Sequence, residues 1–130
     1  MVARLPASEL VLLAHLFYSE NLYPMRKERR LDARVRVNLP ARWESFLTQQ
    51  EGTIVDLSRA GCFVLSGGKL EPDELIRLEI TFPNDERVYP WAEVTQAEED
   101  IGFSVRFTSM DDDERDRLEE FVSRALAAPS

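Results

Sequence analysis

The sequence is poor in the residues that reactive chemistry most often uses: one cysteine and one histidine occur in 130 residues. A single cysteine, Cys62, excludes any internal disulfide, and a thiol left unpaired fits a reducing compartment, so the expected location is the cytoplasm. His15 lies inside an apolar stretch and Cys62 inside a strand-like pattern, and neither has an evident activating partner. Both read as structural residues, and with them goes the simplest case for an enzyme. Glycine and proline are also scarce, five and seven, which excludes collagenous and low-complexity chains. Gly67-Gly68 is followed by Lys69-Leu70, so no phosphate-cradling P-loop spacing is present. Long apolar runs are missing too. The longest, Leu10 to Tyr18, is broken by His15 and falls far short of the roughly 20 residues that span a bilayer. Arg4 ahead of this run imitates a signal peptide, but Glu9 stands at its entrance and Ser19-Glu20-Asn21 replaces a small-x-small cleavage site. The run therefore reads as a helix of the mature protein. Positive charge, finally, is in deficit: 16 basic against 24 acidic residues give a net charge of −8. Such a field argues against coating DNA, RNA or an anionic membrane.

What is present is a chain of one-domain length, 44% hydrophobic and 31% charged, with one concentrated exception to its acidity. Arg26, Lys27, Arg29, Arg30, Arg34 and Arg36 face only Glu28 and Asp32 within eleven residues, a local +4 against −12 elsewhere. A cationic segment on an acidic protein points to one local anionic partner. Ser8 is placed to cap a helix from about Glu9 to Ser19 that is apolar nearly all round, from Leu10, Val11, Leu12, Leu13, Leu16, Phe17 and Tyr18. One supporting surface would not bury it, so it is expected either to sit in a groove or to cover itself against a second chain, a homodimer being the commonest solution.

After the charged stretch, Val35 to Trp43 alternates for nine residues with Val35, Val37, Leu39, Ala41 and Trp43 on one face, the pattern of a half-buried strand. Further strands are expected at Thr53–Leu57, Cys62–Leu65, Ile76–Phe82, Val88–Val94 and Ile101–Phe107, with a turn at Pro83-Asn84-Asp85. Pro40 and Pro90 each lack a ladder donor and belong at edges or bulges. Five or six short strands without intervening helices imply an antiparallel barrel or sandwich. A C-terminal helix is expected from about Asp111 to Ala127, with Leu118, Phe121, Val122, Ala125 and Leu126 on its apolar face and Ser109 as its cap. Consecutive acids at 111–114 suit the first turn of that helix and lack the spacing of a calcium loop.

Chemistry then concentrates in two places. Arg30 and Arg34 stand immediately before the first strand, and a planar guanidinium binds phosphate oxygens or the O6/N7 edge of guanine bidentately. Asp56-Leu57-Ser58 in extended conformation puts Asp56 and Ser58 on one face and Leu57 on the other. Asp56 is an acceptor for a guanine N–H edge, Ser58 a donor to an oxygen, and Gly61 permits a positive φ or a close backbone approach. The plainer alternative has Asp56 and Ser58 satisfying their own turn and the arginines solvated.

Arg30xxxArg34 just ahead of an alternating strand, followed about twenty residues later by Asp56xSer58xxGly61, resembles the PilZ domain, whose RxxxR and [DN]xSxxG motifs bind the bacterial messenger cyclic di-GMP. Arg26xxxArg30 also satisfies the first motif, and the similarity runs over about residues 26–127. The resemblance implies a mainly β fold, a six-stranded antiparallel barrel with a C-terminal helix, to which this chain adds its N-terminal helix; residues 1–25 form that helix and linker and residues 26–130 the domain. It implies a non-catalytic receptor, without metal or cofactor, holding cyclic di-GMP between linker and barrel and passing occupancy to a bacterial protein partner in motility, pilus or exopolysaccharide control. Arg30 and Arg34 then contact phosphate and guanine, Asp56, Ser58 and Gly61 form the second lip, Arg29 is an additional contact, and Gly102 matches a glycine near this site. The alternative is a PilZ-like interaction module that binds no nucleotide. A small-barrel RNA binder is disfavoured, because the strands lack a basic and aromatic stripe.

Overall fold

The computed structural model describes residues 33–46 and 48–128. The helix expected from Glu9 to Ser19 lies outside the described residues. Alternation does what it is expected to do in the first strand, β1 (Val35–Glu44): Val35, Leu39, Ala41 and Trp43 are buried and Val37 half-buried, while Arg36, Asn38, Pro40, Arg42 and Glu44 are exposed. There follow β2 (Gln49–Leu57), β3 (Gly61–Leu65), β4 (Leu75–Thr81), β5 (Arg87–Val88), β6 (Trp91–Glu98), β7 (Gly102–Ser109) and one helix, α1 (Asp112–Ala127).

All pairings among these strands are antiparallel, in the order β1-β2-β3-β7-β6-β4-β5. β1 pairs additionally with β4 through Ala41–Glu44, so the order returns to its first strand and β5 remains outside the ring. Pro40 lies one residue before the β1–β4 ladder, and the β1–β2 register shifts between Arg36 and Leu39, just ahead of it. A residue without an N–H is tolerated at such a place.

Seven strands rather than six are described, and the difference is local. The single strand expected over Val88–Val94 is two: Pro90 falls between β5 and β6, cannot donate to a ladder, and instead accepts from Leu78 N–H through its carbonyl (3.0 Å). β2 begins four residues earlier than the hydrophobic pattern suggests, because Gln49 to Gly52 pair with β1 on a solvated edge where apolar alternation is not needed. The β4–β5 turn forms as expected, with Asp85 at φ 72° and Phe82 N–H donating to Glu86 C=O.

The core sits inside the ring, where Ile54, Leu57, Val64, Ile76, Leu78, Ile80 and Val94 are 0% exposed. Trp43 meets Phe103 edge-on at 5.5 Å, and its indole N–H donates to Ser66 Oγ (2.9 Å), so its one polar atom is satisfied. Leu118 and Val122 bury one stripe of α1 against this core. Two expectations for the helix are corrected. Ser109 still belongs to β7, and Asp111 is the N-cap, making no side-chain capping bond; Leu126 is 49% exposed, while Ala125 beside it packs against the core. Asp112, Asp113 and Glu114 occupy the first turn, where they offset the helix dipole.

Candidate functional site

The turn between β2 and β3 is built by one serine. Ser58 N–H donates to Gly61 C=O (2.9 Å), Ser58 Oγ accepts from the N–H groups of Ala60 and Gly61 (3.1 Å each), and the same hydroxyl donates to Gly61 C=O at 3.3 Å. Ser58 is 1% exposed. Its hydroxyl therefore works inside the turn, fixing the four residues Ser58-Arg59-Ala60-Gly61, and Ala60 C=O accepts from Phe107 N–H (2.8 Å) to tie the turn to β7.

Register decides what shares a face with this turn. Leu57 pairs with Val35 and Cys62, and all three belong to the core. Asp56 pairs with Arg36 on one side and Phe63 on the other, and Phe63 pairs in turn with Ser104, so these four point the opposite way, outward from the ring. Asp56 is nevertheless buried, at 7% exposed, as are Phe63 and Ser104. The β1–β2 ladder ends at Val35 opposite Leu57, so Arg34, the residue before β1, and Ser58, the residue after β2, lie at the same end of the strand pair. Arg34, Asp56, Ser58 and Gly61 thus converge at one end of β1, β2 and β3.

The two glycines have a backbone reason for their identity. Gly61 pairs with Arg106 and a β-carbon there would lie 2.0 Å from Val105 O; Gly102 pairs with Leu65 and a β-carbon would lie 2.3 Å from Val64 O and 2.8 Å from Phe63 Cε1. Of the two openings foreseen for Gly61, close approach is the one it uses; its φ is not positive. Gly102 lies four residues of β3 away from Gly61, on the same outer row as Thr53 and Leu65 rather than at the turn. Arg29 and Arg30 lie outside the described residues.

Two outward cations escaped the motif reading. Arg36 is exposed and opposite Asp56; Arg106 is exposed, opposite Gly61, and ion-paired with Glu93. The signal was there in the alternation, since both are the polar partners of core residues at period two, but pairing across strands was needed to bring them to the turn. Cys62, one step from Asp56 on the core side, is buried, and burial followed by the negative charge of Asp56 drives its thiol pKa far above the ordinary range. It is held as a neutral packing group. No cluster of three or more metal-ligating side chains occurs among the described residues, and no described helix is long and apolar enough to cross a membrane.

The family described as PilZ domain matches residues 26–124. No curated protein matches the chain. Among solved structures it is similar to the PilZ domain of YcgR from Escherichia coli with c-di-GMP, at TM-score 0.62 and 14% identity over 75% of this chain and 92% of that one. It is similar to the PilZ domain of CeSA from a cellulose-synthesizing bacterium at TM-score 0.57 and 17% identity, over 70% and 95% of the two chains. The Bacillus subtilis inhibitor of motility MotI/DgrA matches at TM-score 0.65 and 15% identity over 80% of this chain, which spans 56% of that longer one. At these identities the likeness is one of fold: an antiparallel, mainly β domain closed by a C-terminal helix. With the family matched over most of its length, the chain belongs to the PilZ domain family.

Proposed function

We propose that this protein is a non-catalytic cyclic di-GMP receptor that passes ligand occupancy to a protein partner. The observation that carries the reading is the convergence of Arg34 with Asp56, Ser58 and Gly61 at one end of β1–β3, in a chain whose family match covers both motifs. In this reading Arg30 and Arg34 take the phosphates and guanine edges of the ligand, with Arg29 adding a further cation, and the 56–61 turn forms the opposing lip. Ser58 contributes by holding the lip in shape, and Gly61 by letting β3 run close to β7. Gly102 supports the same face from a distance. The ring of pairings is read as the six-stranded barrel of the family, residues 26–130 as the domain, and residues 1–25 as a helix and linker that meets the partner or a second copy. The protein works in the cytoplasm, and needs no cofactor or metal beyond its ligand. YcgR carries c-di-GMP on its PilZ domain and MotI/DgrA is an inhibitor of motility, which favours motility control among the outputs considered.

Two observations favour the second reading, a module that interacts with proteins and binds no nucleotide: the Ser58 hydroxyl is consumed by its own turn, and Asp56 is buried. Calorimetric titration separates the two. The receptor reading requires saturable binding of cyclic di-GMP, weakened by Arg34→Ala, with no comparable heat from GTP or a short RNA; absence of any binding to the full chain leaves the interaction module.

A further inference from the structure

A crevice of about 390 Å³ opens between α1 and the β4–β5 turn, sharing no residue with the 56–61 turn. Its apolar wall is a stacked pair, Phe82 on Phe121, with ring centroids 4.9 Å apart and planes 26° from parallel, extended by Pro83 and Ala125. Into this setting the helix brings Arg117. Its Nε is buried and has no hydrogen-bond partner among the described residues, while Nη2 makes only a long bond, 3.4 Å, to Arg87 C=O. The neighbouring cations are matched: Arg124 with Glu120 at 2.8 Å and Arg87 with Glu79 at 3.4 Å. No carboxylate stands within ion-pair distance of Arg117 among the described residues. A guanidinium N–H withdrawn from water and left without an acceptor is a costly arrangement, and it leaves the charge of Arg117, which lines the crevice, without a partner among the described residues.

We propose that this crevice binds a hydrophobic carboxylate, with its carboxyl group on Arg117 and an aromatic or branched aliphatic body against Phe82 and Phe121. One unmatched cation calls for one negative charge, and the exposed carboxylates of Glu86 and Glu120 on the same lining disfavour a dianion such as a phosphate monoester. The volume suits a body of one ring or one large side chain. Two sources supply that chemistry: a small organic acid, or the C-terminal residue of a partner polypeptide.

The test is a titration of the full chain followed by ¹H–¹⁵N correlation, including the arginine Nε–H region, with 3-phenylpropionate and with 3-phenylpropanol as its uncharged counterpart. The acid should bind in the millimolar range expected of a fragment, moving the Arg117 Nε–H and the amides of residues 82–86 and 117–125. The alcohol should bind at least about tenfold more weakly, having no charge to offer the guanidinium. Arg117→Gln should abolish that preference. If that variant loses its native spectrum, the acid-against-alcohol comparison on the unsubstituted protein decides alone. Equal binding of acid and alcohol, or shifts confined to other parts of the molecule, or none, overturns the proposal. A pair of acetylated tripeptides ending in Phe, one with its carboxyl group and one amidated, then assigns the source: tighter binding of the acid-ended peptide than of 3-phenylpropionate identifies a polypeptide terminus, and binding of 3-phenylpropionate without either peptide identifies a small acid.

Discussion

A β-carbon at Gly61 would lie 2.0 Å from a backbone oxygen of β7, and backbone cannot swing aside as a side chain does. Gly61→Ala should therefore destabilise the fold by about 2–3 kcal/mol, the cost of overpacking a site with rigid neighbours, read as a lower urea midpoint at unchanged slope. Arg34→Ala should show the opposite balance: cyclic di-GMP binding weaker by about 1.5–3 kcal/mol, through loss of a charge-assisted contact, with a smaller change in melting temperature than Gly61→Ala. A calorimetric titration beside a thermal melt of each variant checks both. Cys62 supplies a third expectation. Its folded pKa is raised, so the unfolded thiol ionises first, and stability present below about pH 8.5 is lost as pH rises beyond it, at up to about 1.4 kcal/mol per pH unit. Cys62→Ala should flatten the fall in unfolding free energy between neutral and alkaline pH; an identical pH profile would remove the thiol from the account.

At the scale of elements, α1 is held by little more than two residues. Leu118 and Val122 are buried, Phe121 and Ala125 half-buried, and most of the remaining helix surface is charged. Leu118→Ala should cost about 2–5 kcal/mol by transfer and cavity terms together. Because Tyr89 N–H donates to Glu114 Oε1 (3.2 Å) and Phe82 stacks on Phe121, loosening α1 should also increase hydrogen exchange in β5 more than in β2 or β3. Exchange measured on Leu118→Ala tests that ordering. The strand pattern was legible in the sequence where one face is buried and the other solvated: Val35 to Trp43 alternates and the structure agrees, while of Ile101 to Phe107 the inward row of Phe103, Val105 and Phe107 is as expected but outward Gly102 and Ser104 are buried too. It failed at β2, where Ile54 to Leu57 are four consecutive buried residues. A register shift between Ile54 and Asp56 inserts Val55 as an extra residue, and outward Asp56 is covered. Period-two reasoning cannot see a bulge or a covered outer face.

For the whole molecule, the charge distribution has a functional expectation. A net charge of −8 with +4 gathered at residues 26–36 means that a small anionic ligand is met by a local field while nucleic acid meets a repulsive one. Adding cyclic di-GMP should slow hydrogen exchange across residues 24–35 and leave the strands of the ring nearly unchanged. Uniform protection of every strand, with none in that segment, would place the ligand elsewhere.

The sequence by itself determined the class of fold, the inward rows of β1 and β7, the apolar stripe of α1 and the two motifs, because each of these is written in local periodicity or in neighbouring residues. It also offered Arg34 and Asp56 as side chains suited to a phosphate and to a guanine N–H edge. What only the tertiary structure decided is which outward residues meet. Arg36 stands twenty positions from Asp56 and Arg106 forty-five from Gly61, and strand pairing alone sets them opposite one another. The same holds for the role of Ser58, whose hydroxyl is committed to its own turn, and for the unmatched Arg117 beside Phe82 and Phe121. Hydrogen-bond partners and burial are properties of the packed chain, created when distant segments exclude water together, and no local pattern encodes them.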